Sequence, residues 1–479
     1  LDRLAGTSRA GPPARPGRTS RQVILTSGTT GPPRGAARSG ATVEDAVAAL
    51  DAAVAAQAEF AKTPPRERSE ILRRAYEAMV EQADDLALLM TLEMGKSVAE
   101  SKAEVLYAAD FLNWFSGEAV RIDGNYKVAD KGTGRMIVLR QPVGPCLFIT
   151  PWNFPLAMGT RKIGPAIAAG CTSVIKPAKQ TPLSMYMLAK IFEEAGLPAG
   201  ALNVVTAKSS GKTMAPLIAD PRLRKLSFTG STEVGRELMK AGSEQILKMS
   251  MELGGNAPFL VFDDADIDAA VDGAMLAKMR NVGEACTAAN RFHVAESVAD
   301  EFASKLADRM GAMKLGRGSE EGVEVGPLID GTQRDKVAEL VSDAVGKGAT
   351  VVTGGEADGD RGYFYKPTVL TGISDDAELL KEEIFGPVAP IKTFSTDEEA
   401  IAAANDTEYG LVAYVYTRDL QRAFRVAEAL ETGMLGLNQG VVSNAGAPFG
   451  GVKASGIGRE GGNEGIEEYL ETKYIAMAL

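Results

Sequence analysis

The chain has 479 residues, 45% of them hydrophobic, and a formal net charge of −11 at pH 7. That length supports two or more cores, and the acidic balance excludes nucleic acid and an anionic membrane surface as partners, since both select basic faces. The three cysteines, Cys146, Cys171 and Cys286, lie far apart in the sequence, and His293 is the single histidine; a disulfide framework and a metal centre built on several histidines are both disfavoured. No metal is expected. No apolar run reaches the roughly 18 residues of a membrane helix, and the first residues lack the order of a signal peptide, so a cytoplasmic protein is expected.

Residues 1–40 are rich in Gly, Pro, Arg and Ser, show little periodicity, and read as a poorly ordered arm. Within them Ile24-Leu25-Thr26-Ser27-Gly28-Thr29-Thr30-Gly31-Pro32-Pro33-Arg34-Gly35 resembles the phosphate-binding loop of the AMP-forming acyl-CoA synthetases. None of that family's other motifs follows, and a loop without its domain forms no active site.

From Ala41 the pattern changes. Thr42-Val43-Glu44-Asp45 predicts a capped helix start and an amphipathic run to about Phe60. Pro64 and Pro65 open a second helix with Ile71, Leu72, Ala75, Met79 and Val80 at helical spacing, and helices continue to about Gly117. Met136 to Ile149 is β-rich. Short apolar runs at Thr172–Ile175, Leu202–Val205 and Leu226–Phe228 then alternate with helices, which predicts parallel βαβ units. A second alternating stretch from Ala257 to about Leu437, with runs at Phe259–Phe262, Arg291–Val294 and Val412–Tyr416, predicts a second α/β domain. His293 falls in one of these strands and reads as a structural histidine.

Three segments carry chemistry. Thr229-Gly230-Ser231-Thr232-Glu233-Val234-Gly235 follows a strand and opens a helix, placing glycines and free amides where a pyrophosphate binds, although a plain tight turn has the same spacing. Gly456-Ile457-Gly458-Arg459-Glu460-Gly461 has dinucleotide-fingerprint spacing, but too few residues follow it to build a βαβ unit. Cys286 sits among small residues downstream of Met251-Glu252-Leu253-Gly254-Gly255-Asn256, and a thiol paired with a carboxylate suggests covalent catalysis followed by hydrolysis. Taken singly, Cys286 reads as a small buried residue, Glu252 as a solvated acid and Asn153 as a turn former beside Pro155.

Thr150-Pro151-Trp152-Asn153-Phe154-Pro155, Ser173-Val174-Ile175-Lys176-Pro177-Ala178, Glu383-Ile384-Phe385-Gly386-Pro387 and Pro448-Phe449-Gly450-Gly451, together with the Thr229–Gly235, Met251–Gly255 and Cys286 segments, resemble the aldehyde dehydrogenase superfamily from about Ala41 to the C-terminus. The resemblance implies an α/β fold with a Rossmann-type cofactor domain (41–124 and 144–252), a catalytic domain (253–455) and a small β oligomerisation extension (125–143 and 456–479) that pairs subunits into a homodimer or homotetramer. It implies Cys286 as nucleophile, Glu252 as general base and Asn153 as oxyanion donor. Thr150, Pro151, Trp152, Lys176, Ala178, Lys179, Gly230, Ser231, Gly235, Leu253, Glu383 and Phe385 are implied to hold the cofactor.

Within the superfamily the chain resembles the succinate-semialdehyde dehydrogenases through Arg161, Arg280 and Ser443, implied there to bind the substrate's distal carboxylate; structural salt bridges are the alternative for the two arginines. Lys179 stands where many NAD-using members carry a glutamate that repels a 2′-phosphate, so NADP is the expected cofactor and NAD remains open. Two other readings stay in view. One is a dehydrogenase for another aldehyde, aminoaldehyde or aliphatic; the other is an inactive member with a replaced N-terminus.

Overall fold

A computed structural model of the chain describes residues 25–26, 41–359 and 361–478. Apart from Leu25–Thr26, the expected poorly ordered arm and its synthetase-like string lie outside the described residues. Leu25–Thr26 form a short strand, β1.

The helical start is built as the sequence predicts. Thr42 and Asp45 form a capping box on α1 (Val43–Phe60): the Asp45 amide donates to the Thr42 hydroxyl at 3.3 Å, and the Thr42 amide to the Asp45 carboxylate at 3.0 Å. Pro65 occupies the first turn of α2 (Pro65–Glu81), where its missing N–H costs no hydrogen bond. Ile71, Leu72, Ala75 and Met79 form the buried stripe, whereas Val80 is 40% exposed, one helical step of about 100° past Met79 and off that stripe. Helix α3 (Ala83–Met94) ends on left-handed Gly95, and α4 (Val98–Glu118) is capped by Ser97.

The strands in chain order are β2 (Asn125–Val128), β3 (Gly134–Pro142), β4 (Cys146–Ile149), β5 (Ser173–Lys176), β6 (Leu202–Val204), β7 (Lys225–Thr229) and β8 (Lys248–Glu252). They are followed by β9 (Ala257–Val261), β10 (Ala289–Ala295), β11 (Thr350–Thr353), β12 (Thr368–Thr371), β13 (Val388–Phe394), β14 (Tyr409–Gly410), β15 (Val412–Tyr416) and β16 (Met434–Leu437). The last are β17 (Val452–Lys453), β18 (Gly456–Ile457) and β19 (Leu470–Ala478).

The first sheet has the order β1-β6-β5-β4-β7-β8-β18, parallel from β6 to β8 with an antiparallel strand at each edge. Strands β4, β5 and β7 are buried along their whole length, as parallel strands covered on both faces must be. The chain runs outward from β4 in one direction through β5 and β6, then in the other through β7 and β8. The gap between β4 and β7 is therefore the switch point at which α/β sheets bind ligands. Helices α5 (Ala157–Ala169), α6 (Leu183–Glu194), α7 (Ser210–Ile218) and α8 (Thr232–Ser243) connect these strands.

The second sheet, β11-β12-β13-β10-β9-β15-β16, is parallel except at β11. Phe259 on β9 is its aromatic centre, with ring centroids 5.0 Å from Tyr416, 5.1 Å from Phe292 and 5.8 Å from Tyr414. Strands β2, β3 and β19 make a separate antiparallel sheet. Gly456 and Ile457, which the sequence reading groups with that extension, instead pair with Glu252 and Met251 at the edge of the first sheet. Gly456 there has φ +122, and any side chain on it would overlap the Met251 carbonyl.

Replacing Phe259 removes the ring that four aromatic neighbours share, so Phe259→Ala should destabilise the second domain by about 3–5 kcal/mol. Chemical denaturation of the two proteins is the measurement; an unchanged midpoint would contradict this account of the core.

Candidate active site

The carboxyl ends of β4, β5, β7 and β8 gather most of the residues that the sequence associates with a dinucleotide. Thr150 follows β4 and Thr229 ends β7, and each has a buried hydroxyl oxygen without a hydrogen-bond partner. Such orphaned polar atoms at a switch point suit a ligand that would satisfy them. Beyond Thr229, Ser231 caps α8 by accepting from the Val234 amide at 3.5 Å, so free amides of the first helical turn face the same opening. A Cβ on Gly230 would overlap the Phe228 ring and one on Gly235 the Leu253 side chain, so the turn is as tight as its glycines allow.

Lys176, at the end of β5, is buried, and its Nζ donates to the Ser210 hydroxyl at 2.9 Å; burial pulls its pKa down to about 8. Ala178 is buried beside it, and Lys179 is exposed. From the second domain, Glu383 reaches the Gly255 amide at 3.2 Å, its carboxyl pushed up to about 7 by burial. Phe385, with φ +52, meets Trp152 edge-on with ring centroids 5.5 Å apart, next to Pro151.

The loop that bears Cys286 leaves α9 (Ile267–Met279) through three successive left-handed residues, Asn281, Val282 and Gly283. For β-branched Val282 that conformation is strained and needs surrounding contacts to hold it. Gly283 is demanded by space as well, since a Cβ there would strike the Gly386 carbonyl. The Cys286 carbonyl likewise lies where a Cβ on Gly255 would stand. The Cys286 thiol is pushed up to about 12, by burial first and then by Glu383 and Glu252, against the opposing charges of Arg161 and Arg280.

Asn153 sits opposite this loop. Its Nδ2 donates to the Glu284 carbonyl at 3.1 Å, which engages one amide hydrogen and leaves the second. Its backbone carbonyl accepts from Lys96 at 2.8 Å and from the Asn281 side chain at 3.0 Å. Glu284, buried with its carboxyl pushed up to about 8 by desolvation, accepts from the Ile329 amide at 3.0 Å.

Glu252 ends β8 with both carboxylate oxygens buried and unpartnered. Burial first, then neighbouring Glu460, holds its carboxyl well above the usual carboxylate range, against the pull of Lys162, Arg161 and Arg459. Glu460 is itself bound to Lys162 and lies 3.3 Å from Arg161 Nε.

Arg280 and Ser443 meet directly, with Nη1 donating to the hydroxyl at 3.2 Å, and the Arg280 guanidinium lies 4.9 Å from the Phe154 ring centroid and 5.4 Å from that of Tyr107. Arg161 is 1% exposed, donates to the Tyr107 hydroxyl at 2.7 Å and lies 4.0 Å over Phe449. Tyr107 thus stands between the two arginines, and nothing in its helical context marks it in the sequence. Glu460 is the other residue the sequence hid, inside the stretch with false fingerprint spacing. His293 is buried on β10, and burial pulls its pKa down to about 3, which keeps the ring neutral. Cys146 and Cys171 are buried in the first core. Among the described residues no helix is long and apolar enough to cross a membrane.

The profile of the aldehyde dehydrogenase family matches residues 30–475. The chain is 59% identical over 438 residues to a succinate-semialdehyde dehydrogenase of Paenarthrobacter nicotinovorans, covering 91% of this chain and 97% of that protein. It is 52% identical over 432 residues to the NADP(+) succinate-semialdehyde dehydrogenase of Escherichia coli strain K12, covering 90% and 89%. A crystal structure described as an E. coli NADP dependent enzyme superposes with a TM-score of 0.91 at 50% identity, covering 95% of each chain.

With its thiol pushed up to about 12, Cys286 should react slowly with iodoacetamide at neutral pH in cofactor-free protein. The rate should climb about tenfold per pH unit through the mildly alkaline range as the thiolate fraction grows. A plateau already reached at neutral pH would overturn this electrostatic account.

Proposed function

The chain belongs to the aldehyde dehydrogenase family, and we propose that it oxidises succinate semialdehyde to succinate with NADP as the preferred cofactor. The observation that carries the substrate is the Arg280–Ser443 pair beside the nucleophile loop, a cation and a hydroxyl able to hold a carboxylate remote from the aldehyde. Arg161 adds positive potential from behind Tyr107.

The Cys286 thiolate adds to the aldehyde carbon. The oxyanion so formed takes a hydrogen bond from the uncommitted Asn153 amide hydrogen and another from the Cys286 backbone N–H; loss of one such donor typically costs about 10²- to 10³-fold in rate. When bound, the nicotinamide supplies the hydride acceptor that turns this adduct into a thioester on Cys286. Glu252 then removes a proton from water, which attacks the thioester carbonyl and releases the acid and the thiol. The fit of the dinucleotide rests on the unpartnered Thr150 and Thr229 hydroxyls, the Gly230–Gly235 turn and Lys176 at the strand ends. Lys179, exposed beside them, supplies a cation for a 2′-phosphate.

Residues 41–124 and 144–252 serve as the cofactor domain and 253–455 as the catalytic domain. The sheet of β2, β3 and β19 joins subunits into a dimer or tetramer through exposed Tyr126, Val128, Tyr474 and Met477. We place the enzyme in the cytoplasm.

Purified protein should reduce NADP with succinate semialdehyde faster than NAD. Lys179→Glu should reverse that order, and Cys286→Ala should abolish turnover. Arg280→Ala should raise KM for succinate semialdehyde on the order of 10- to 100-fold, as expected for a lost charge-assisted contact, yet leave a neutral aliphatic aldehyde little affected. Equal loss on both substrates would sink the carboxylate assignment.

Glu252 acts only when deprotonated, and its pKa is raised. The hydrolytic step is therefore lost as pH falls through a value above the ordinary carboxylate range. The pH profile of kcat should show that limb, and Glu252→Gln should remove it together with most of the activity.

A further inference from the structure

Helix α4 carries Glu100 and Glu104 one turn apart, facing the loops that meet at the nucleophile. Glu104 accepts from the amides of Leu156 at 2.9 Å and Ala157 at 3.3 Å, and binds Lys96 at 2.6 Å; Lys96 in turn holds the Asn153 carbonyl. Glu100 accepts from the backbone amide of Asn281 at 2.6 Å. The Asn281 side-chain amide then donates both its hydrogens, to the Asn153 carbonyl at 3.0 Å and to the Glu284 carbonyl at 2.9 Å. That Glu284 carbonyl is the acceptor that also orients the Asn153 amide.

One side chain therefore ties the segment bearing the oxyanion donor to the segment bearing Cys286, and it does so from a left-handed position between Arg280 and strained Val282. We infer that Asn281, anchored by Glu100, is the positioning residue of the oxyanion site. By cross-linking the Asn153 and Glu284 carbonyls it fixes which way the Asn153 amide points and how far it stands from Cys286. An amide that rotated would present its carbonyl oxygen to a developing negative charge. This inference rests on the proposed role of Asn153 as oxyanion donor.

The variant that isolates the effect is Asn281→Gly, since glycine keeps the left-handed backbone and removes only the cross-link. We would measure kcat and KM for succinate semialdehyde. Separately we would follow nitrophenolate release from para-nitrophenyl acetate without cofactor, which needs the thiolate and oxyanion site but neither the nicotinamide nor the proposed substrate. Wild type, Asn281→Gly, Asn153→Ala and the double variant would be compared in both assays.

Asn281→Gly should lower kcat on the order of 10²-fold, with KM little changed, and slow ester cleavage in parallel. The double variant should be no worse than Asn153→Ala alone, because one residue acts through the other. Glu100→Ala should reproduce part of the loss, and Glu100→Gln, which keeps an acceptor for the Asn281 amide, should restore it. Wild-type kcat in Asn281→Gly, or a double variant whose loss is the product of the two single losses, would overturn the inference. Loss of ester cleavage in the same pattern by a protein that oxidises no semialdehyde would support the positioning role and refute the substrate assignment instead.

Discussion

Backbone packed directly on backbone is the constraint on which this site depends. Gly255 passes the Cys286 carbonyl, Gly283 passes the Gly386 carbonyl, and Gly456 passes the Met251 carbonyl, each at a separation that admits no Cβ. These three contacts bring together the end of β8, the nucleophile loop, the Glu383–Phe385 segment and the edge of the first sheet. With the main chains that close, Cys286 comes within electrostatic reach of both Glu252 and Glu383. The consequence is local strain, visible in left-handed Val282 and Phe385, which the surrounding hydrogen bonds hold in place.

The same closeness decides the electrostatics. Burial raises the pKa of Cys286, Glu252, Glu284 and Glu383 and lowers that of Lys176 and Lys278. Desolvation is the largest cause in each case, and for all of them but Lys176 it outweighs nearby opposite charges. Arg161, Lys162 and Glu460 form a buried ion-pair cluster beside these groups, in which each charge has an opposite partner within contact distance. Of the two readings the sequence left open for Arg161, the structural ion pair, to Glu460, is present. The Arg161 charge still acts on Cys286 and Glu252.

Much of this was legible before any coordinates. Helical spacing located α1 and α2, and short apolar runs located β5, β6 and β7 of the first sheet and β9, β10 and β15 of the second, because strands buried on both faces read as such runs and amphipathic helices read as stripes. Cys286 and Glu252, proposed as nucleophile and base, were marked by the small residues around them, among which Gly255 and Gly283 permit the close backbone approaches just described. What stayed hidden was of another kind. Tyr107, Lys96, Glu100 and Glu104 sit on or beside one helix whose own periodicity gives no reason for buried charge, and their partners are distant in sequence. Spacing along a chain carries no record of which loop will face which helix turn. Glu460 was hidden differently, since its glycine-rich setting imitates a phosphate loop while serving a strand edge.

The distribution of charge also bears on how the site holds two acidic groups side by side. A buried thiolate and a buried carboxylate side by side would repel each other and forfeit solvation at once, a combination costlier than either protonated partner. Here burial and nearby carboxylates raise the pKa of both Cys286 and Glu252, so each anion is disfavoured relative to its form in water. Arg280 offsets part of this from the mouth of the site and Arg161 part from its interior, and both guanidiniums are pinned against Tyr107. A substrate carrying its own negative charge would draw on Arg280 and weaken that support for the thiolate. The buried, ion-paired Arg161 cannot be diverted in the same way. Arg280, bonded to Ser443, and buried Arg161, paired with Glu460, thus act on Cys286 from two different settings, and under the proposed function only the first is open to a substrate anion.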